Sequence, residues 1–140
     1  MNPNLNKFLI AQESSYTVAL SEIKNGRKET HWMWYIFPQI KGLGFSSTTQ
    51  FYSIESISEA RDFLTHEILG VRLREITEVL LTHKDKNPTQ IFGYPDDLKL
   101  KSCMTLFSIA DGKENNLFQM VIQNFFGGEL DGRTIEILKK

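Results

Sequence analysis

The sequence predicts a single all-α domain. Apolar residues recur at helical spacing along nearly the whole chain, helix start and stop signals separate the periodic segments, and strand signals are scarce. At 140 residues the chain has the usual length of one domain, long enough to bury roughly two thirds of its unfolded surface. The hydrophobic fraction of 41% is typical of a globular protein. We therefore expect one compact multi-helix domain over residues 1–140, with a central apolar helix.

Two helices are predicted in the N-terminal quarter. The first begins at Asn4, a helix-capping residue type, and continues to about Ser14. The second runs from about Ser15 to Asn25, and Gly26 then suits a left-handed stop. The residues expected to face inward are Leu5, Phe8, Leu9 and Gln12 in the first helix, and Val18, Ala19 and Ile23 in the second.

The middle of the chain predicts two further helices. Ser56 and Glu59 form a capping-box pattern that opens one helix, which has His66 near its end. An amphipathic surface helix follows from Glu67 to about Thr82. Their expected buried residues are Ala60, Phe63 and Leu64 in the first, and Leu69, Leu73, Ile76 and Leu80 in the second.

Three helices are predicted in the C-terminal part. The start signal of Pro95, Asp96 and Asp97 opens a helix that ends at Asp111 and Gly112, and Cys103 lies within it as a buried small hydrophobe. The next helix, from Asn115 or Asn116 to Phe126, has little polar surface and is our prediction for the central helix. Glycines 127 and 128 end it, and Asp131 caps a last short helix that carries Ile135 and Leu138.

Two segments are predicted to be irregular, residues 38–49 and 83–88. The first contains glycines and hydroxyl side chains, so it either presents backbone amides and hydroxyls to a ligand or only reverses the chain. Residues 31–37 form the one stretch that an extended conformation would suit. Because they are apolar on nearly every side, we expect Met33, Ile36 and Phe37 in the core.

The segment of residues 26–44 contains the groups that would recognise an anion. Arg27 has the planar fork that binds phosphate or carboxylate at two points, and Lys28 adds a second positive charge. His31 follows them and is the candidate catalytic acid or base near neutral pH. The alternatives are that the two cations are solvated and that His31 is buried against a backbone carbonyl.

The same segment holds both tryptophans, Trp32 and Trp34. Each either stacks on a planar ligand or lies in the core with its indole N–H paired. Gln39 adds an amide to the segment. Near the start of a later helix, Lys99, Lys101 and Ser102 add positive charge and a hydroxyl to the predicted ligand-binding set.

Several classes of chemistry have no support in the sequence. The three histidines are far apart and one cysteine cannot build a zinc site, so we expect no metal. Known nucleophile and phosphate-loop motifs are absent, and we expect no cofactor. No apolar run approaches the ~20 residues that a membrane span needs. With no secretion signal at the start of the chain, we expect a cytoplasmic protein without membrane contact.

The tryptophan-rich segment resembles the hallmark of a bacterial domain-of-unknown-function family, number 1810. The similar residues include 26–28, 31–39 and 42–44, and further similarity lies at 91–93, 96–107 and 125–128. The resemblance implies a small, mostly helical protein, and it implies no particular activity. The polar residues it marks as characteristic are Arg27, Lys28, His31, Gln39, Ser102 and Thr105, which adds Thr105 to the predicted ligand-binding set.

Two functions of different classes remain open. The first is binding of a small anionic or nucleotide-like metabolite, either alone or with its conversion, with cations on the anion and an indole against a ring. The second is a non-enzymatic interaction module, whose loop of residues 39–49 contacts a protein partner that the sequence does not identify. Specific nucleic-acid binding is not expected, because 16 basic and 17 acidic residues balance.

Overall fold

The computed structural model describes residues 2–140 of the protein. Within that range there is a single 3-10 turn, Pro3–Leu5, and there are ten α-helices, which confirms the all-α prediction. The helices are α1 (Asn6–Glu13), α2 (Tyr16–Lys24), α3 (Met33–Ile36), α4 (Ser47–Phe51), α5 (Ile57–Thr65), α6 (Leu69–Leu81), α7 (Pro88–Phe92), α8 (Asp96–Asp111), α9 (Leu117–Phe126) and α10 (Gly132–Leu138).

Helix α8 occupies the centre of the fold. It packs against α5, α7, α9 and α10, and nine of its 16 residues are buried. The prediction that α9 is the central helix is wrong, because α9 has a clear outer face on which Met120 is 43% exposed. Helix α8 did not look central because buried polar residues such as Ser102 and Thr105 interrupt its apolar pattern. Cys103 is fully buried as expected, and burial raises the pKa of its thiol.

The N-terminal helices follow the prediction with two changes. The cap of the first turn is Asn2, whose side chain accepts from the Asn4 backbone amide at 3.0 Å, instead of Asn4 itself. In α2, Val18 was predicted to face inward but is 46% exposed. Glu22 is buried instead, with only 8% of its surface exposed. A charged residue in the core is not expected from periodicity, and its hydrogen bonds explain it, as described below.

Helices α5 and α6 approach each other closely at a glycine. The Ser56 hydroxyl caps α5 by accepting from the Glu59 amide at 3.1 Å, as predicted. Helix α6 then begins so close to the end of α5 that a Cβ added at Gly70 would be 2.0 Å from the carbonyl oxygen of Leu64. Only a residue without a side chain fits at that position.

The segment of residues 31–54 is helical where regular structure occurs. Helix α3 is short, and Met33, Ile36 and Phe37 are buried in the core as predicted. Helix α4 begins within residues 38–49, the stretch predicted to be irregular, and extends beyond its end. A parallel bridge between Ile40 and Ile54 connects the residues on either side of α4, because Ile54 donates to the Gln39 carbonyl at 2.8 Å and accepts from the Lys41 amide at 2.8 Å.

Helix α7 was missed by the sequence analysis. Its signal is nonetheless present, since Asn87 and Gln90 form a complete capping box around Pro88. The helix buries Ile91 and Phe92. Among residues 2–140, none of the helices is both long enough and apolar enough to cross a membrane.

Candidate functional site

A buried carboxylate organises the segment that precedes the tryptophans. Glu22 accepts hydrogen bonds from the backbone amides of Glu29 and Thr30 at 2.7 and 3.0 Å, and from the Thr30 hydroxyl at 2.6 Å. It also accepts from the indole Nε1 of Trp32 at 2.9 Å. Burial opposes ionisation, but these four bonds outweigh it and lower the pKa of Glu22 to about 2. Trp32 is therefore a core residue, 1% exposed, whose N–H has its partner.

An ionic bridge connects this segment to the start of α8. Lys28 lies 2.9 Å from one oxygen of Asp96, and Lys99 lies 3.2 Å from the other. The Lys28 ammonium is also 5.1 Å from the centre of the Trp32 ring, and its side chain is 8% exposed. Lys28 is thus already paired and largely enclosed, whereas Lys99 remains partly accessible with 26% of its side chain exposed.

Lys99 reaches a small pocket beside Trp34. Its ammonium lies 5.2 Å from the centre of the Trp34 ring, within the range of a cation–π interaction. The pocket, which we call the inner pocket, has a volume of about 20 Å³, room for roughly one water molecule. The lining of the inner pocket includes Met33, Trp34, Phe37, Gln39, Tyr52 and Lys99.

A larger depression, the outer cleft, lies next to the inner pocket and shares Gln39, Gly44, Thr49 and Lys99 with it. Its volume is about 340 Å³, within the range of small-molecule sites. The charged residues that line it are Lys99, Lys101, Arg133 and Asp131, so cations outnumber carboxylates. Leu43, Leu98 and Ser102 complete much of its wall.

The C-terminal wall of the outer cleft is fixed to α8 by two hydroxyls. Asp131 caps α10 by accepting at Oδ2 from the Thr134 amide at 3.0 Å, and the same oxygen accepts from the Ser102 hydroxyl at 3.2 Å. The Asp131 backbone amide donates to the Thr105 hydroxyl oxygen at 2.9 Å. Lys101 pairs with Glu129 in the preceding turn, and this pairing lowers the pKa of Glu129. The turn that carries Asp131 is therefore held from several sides.

Replacement of Thr105 by valine is expected to destabilise the protein by about 1 to 2 kcal/mol, because the partly buried Asp131 amide loses its acceptor. Thr77→Val is a matched control. Thr77 is equally buried, at 0% exposure, and its hydroxyl bonds to Leu73 one turn back just as that of Thr105 bonds to Lys101. Urea unfolding of both variants measures the difference. Equal losses would show that the Asp131 contact contributes nothing.

The structure brings together five of the residues predicted for a ligand site. They line the inner pocket or the outer cleft, and they are Trp34, Gln39, Lys99, Lys101 and Ser102. Lys28 is one ion pair away through Asp96. Trp32 and Thr105 are enclosed in the core, with 1% and 0% exposure, and have no surface to offer a ligand.

Arg27 and His31 lie elsewhere. Both are exposed, neither lines the inner pocket or the outer cleft, and within residues 2–140 neither side chain makes a hydrogen bond or an ion pair. Their predicted roles in anion binding and acid–base chemistry gain no support from this geometry. The close spacing of Arg27, Lys28 and His31 in sequence does not place their charged groups together, because Lys28 turns inward to Asp96.

Sequence reasoning missed four residues of this region. Glu22 and Arg133 were not selected, and Asp96 and Asp131 were assigned only to the starts of helices. The contacts of Glu22 with residues 29–32 and the contact of Asp96 with Lys28 join different parts of the chain, so no local pattern marks them. Only the contact of Asp96 with Lys99 is local. Arg133 carries no motif and is distinguished only by its position at the outer cleft. In the part of the chain the structure describes, no three His, Cys, Asp or Glu side chains are close enough to hold a metal ion.

Fold and site together define a small helical protein in which a cleft lined by cations adjoins a small aromatic pocket, and Lys99 lines both. The chain belongs to the family described as "Protein of unknown function (DUF1810)", whose model matches residues 2–138. It is similar to a protein of known structure, the conserved hypothetical protein Rv1873 from Mycobacterium tuberculosis, whose crystal structure extends to 1.38 Å. The two share 41% identity over 98% of this chain and 97% of the other, with a TM-score of 0.94. A comparison with curated proteins finds no match.

Proposed function

We propose that this protein binds a small anionic ligand in the outer cleft, with a planar or apolar part of the ligand directed toward Trp34. The observation that carries the proposal is the position of Lys99. It lines both the inner pocket and the outer cleft, and its ammonium lies over the Trp34 ring at 5.2 Å. A positive charge beside an aromatic face is suited to a ligand that combines a negative group with a ring.

The charge balance of the outer cleft supports an anion. Lys99, Lys101 and Arg133 line it against the single carboxylate of Asp131, although the protein as a whole has a net charge of −1. The two lysines have acidic partners outside the cleft lining, Asp96 and Glu129. A stronger anion such as phosphate would compete for their ammonium groups, because charge-assisted bonds to phosphate are among the strongest polar contacts. Arg133 is exposed and makes no ion pair with any residue in 2–140.

Trp34 is the natural reporter of this site. Trp32 is 1% exposed and bonded to Glu22, so its emission should not respond to a ligand in the cleft. Trp34 is partly buried and lines the inner pocket. We expect saturable quenching of tryptophan fluorescence by AMP, and loss of that signal in Trp34→Phe.

Lys99→Met is expected to weaken AMP binding by about tenfold or more, because one charge-assisted bond is removed while an apolar stem still covers Trp34. Isothermal titration calorimetry measures the affinity without relying on the indole. Lys24→Met is the matched control, since Lys24 is exposed at the end of α2 and lines neither the inner pocket nor the outer cleft.

The same titration separates the cleft from the site predicted at Arg27 and His31. Binding that is lost in Lys99→Met and kept in Arg27→Ala supports the cleft. Binding that is lost in Arg27→Ala and kept in Lys99→Met would contradict it and assign the anion to the exposed segment. No binding of AMP, ribose 5-phosphate or inorganic phosphate by the wild-type protein would refute the proposed function.

A second candidate function is the interaction module, and exposed aromatic residues favour it. Phe45 is 84% exposed and Phe51 is 56% exposed, on the loop and on α4 beside the cleft. Large apolar side chains in water often mark a contact surface. Phe45→Ser tests this function separately, because it leaves all three cleft cations in place. If the chain self-associates in sedimentation experiments, that association should be lost in Phe45→Ser while AMP binding remains.

A further inference from the structure

We infer that the anionic ligand of the outer cleft is a phosphate ester of a sugar, whose hydroxyl groups are recognised by the carboxylate of Asp131. This inference rests on the proposed function and specifies the class of ligand that the cleft would take. Its basis is the presence of one carboxylate among three cations, and only one of the two oxygens of that carboxylate accepts hydrogen bonds from the protein.

The two carboxylate oxygens of Asp131 differ in the hydrogen bonds that they accept. Oδ2 accepts from the Ser102 hydroxyl at 3.2 Å and from the amide and hydroxyl of Thr134 at 3.0 and 2.5 Å. Oδ1 accepts no hydrogen bond from any of residues 2–140. Asp131 nevertheless lines the outer cleft together with Lys99, Lys101 and Arg133. Asp131 therefore has one oxygen with spare acceptor capacity, since an ionised carboxylate has about four lone-pair positions.

The Asp131 carboxylate weakens the binding of an anion that has no hydrogen-bond donors of its own. Like charges close together repel, so inorganic phosphate gains from the cations and loses to Asp131. A ligand that carries hydroxyl donors beside its phosphate removes the conflict, because O–H···O⁻ bonds to Asp131 are charge-assisted and short. Acidic side chains bind ribose hydroxyls in this way in nucleotide-binding proteins.

The geometry of Asp131 is also fixed before any ligand arrives. Its backbone amide is bonded to Thr105 at 2.9 Å, and Ser102 holds its side chain from α8. A preorganised acceptor loses little conformational entropy on binding, which favours selective recognition. Gln39, which also lines the outer cleft, adds an amide that both donates and accepts, as a polyol needs.

The test compares four compounds by calorimetry, which are AMP, 2′,3′-dideoxy-AMP, ribose 5-phosphate and inorganic phosphate. We expect the wild-type protein to bind AMP about tenfold more tightly than its dideoxy analogue, because the analogue leaves Asp131 unpaired. Ribose 5-phosphate distinguishes recognition of the sugar phosphate alone from recognition that also needs the base.

Asp131→Asn is the decisive variant. Asparagine is an equally good helix cap, so its oxygen can replace Oδ2 toward Thr134 while its NH₂ group replaces Oδ1. We expect the variant to bind AMP and the dideoxy analogue with affinities within about twofold of each other, and to keep or improve its affinity for inorganic phosphate. Glu136→Gln is the control for the change of charge, since Glu136 is exposed on the same helix and does not line the outer cleft. It should keep the preference for AMP.

The possible results of these titrations separate the inference about the sugar from the proposed anion binding. Equal binding of AMP and its dideoxy analogue by the wild-type protein overturns the inference and leaves anion binding in place. A preference that persists in Asp131→Asn assigns the hydroxyl recognition to another residue and also overturns it. If none of the four compounds binds, both the inference and the proposed function are wrong. Thermal melts of each variant establish that lost binding does not arise from unfolding.

Discussion

Gly70→Ala is expected to destabilise the protein by about 3 kcal/mol or more, a large fraction of the stability of an ordinary domain. The added Cβ would lie 2.0 Å from the Leu64 carbonyl oxygen and 2.7 Å from its carbonyl carbon. Neither atom can turn aside as the end of a side chain would, so α5 and α6 must separate. Both helices contribute fully buried residues to the core, among them Phe63 and Leu69. Thermal unfolding should show a loss of roughly 10 °C in the midpoint.

Gly132→Ala is the matched control for this substitution. Gly132 is also the residue of a helix, the first of α10, and a Cβ added there meets nothing within 4 Å. Alanine has the higher helix propensity, so we expect no loss of stability and a gain of at most about 1 kcal/mol. A Gly70→Ala protein that melts like Gly132→Ala would show that the two helices can separate without cost.

Glu22→Gln is the second substitution with a large expected effect, a loss of about 2 to 3 kcal/mol at neutral pH. Glutamine keeps one oxygen for the Glu29 and Trp32 donors but removes the charge that strengthens each bond. Urea unfolding measures the loss. Glu59→Gln is the control, because Glu59 is 4% exposed but accepts longer bonds, such as 3.2 Å from the Glu55 amide. Its loss should be smaller.

The contribution of Glu22 should also depend on pH. Its pKa is about 2 in the folded protein and 4.5 as the ordinary value, so the folded state favours the ionised form. The resulting stabilisation, roughly 3 kcal/mol for a shift of this size, is fully present above pH 4.5 and is lost as the pH falls toward 2. The stability difference between the wild-type protein and Glu22→Gln should therefore narrow over that interval. A constant difference would contradict the lowered pKa.

Local chemistry in the sequence was sufficient for most helix boundaries. Ser56, Asn116 and Asp131 cap the helices that follow them, as their positions before apolar runs predicted. Gly112 and Gly127 adopt the left-handed conformation that ends a helix. These features depend on residues within one turn of each other, which a single sequence displays directly.

Burial was harder to predict where polar groups pair across the fold. Thr105 and Glu22 are both in the core, at 0% and 8% exposure, because each finds its partners within the protein. Polar and charged residues are seldom buried. The sequence pattern therefore made α8, which contains Thr105, look less central than it is, and it left Glu22 out of the buried residues of α2. Val18 was assigned inward because it is apolar, but it is 46% exposed.

The candidate site was predicted only in part, because its composition depends on contacts between segments that are distant in sequence. Trp34, Gln39 and Lys99 were selected for their chemistry, and the structure brings them to one pocket. Arg27 and His31 were selected because they neighbour the tryptophans in sequence, and they lie outside the inner pocket and the outer cleft. Proximity along the chain does not determine proximity in space for residues in an irregular segment.

The sequence by itself determined the all-α class, most of the helices and the membership of a family, because periodicity, capping and a tryptophan-rich motif are local properties. The tertiary structure alone decided which helix is central, which cations are already paired and which remain at a cleft. Those outcomes depend on contacts between distant segments, such as Lys28 with Asp96 and Ser102 with Asp131. Such contacts are set by how the helices pack together, and no single segment of the chain contains that information.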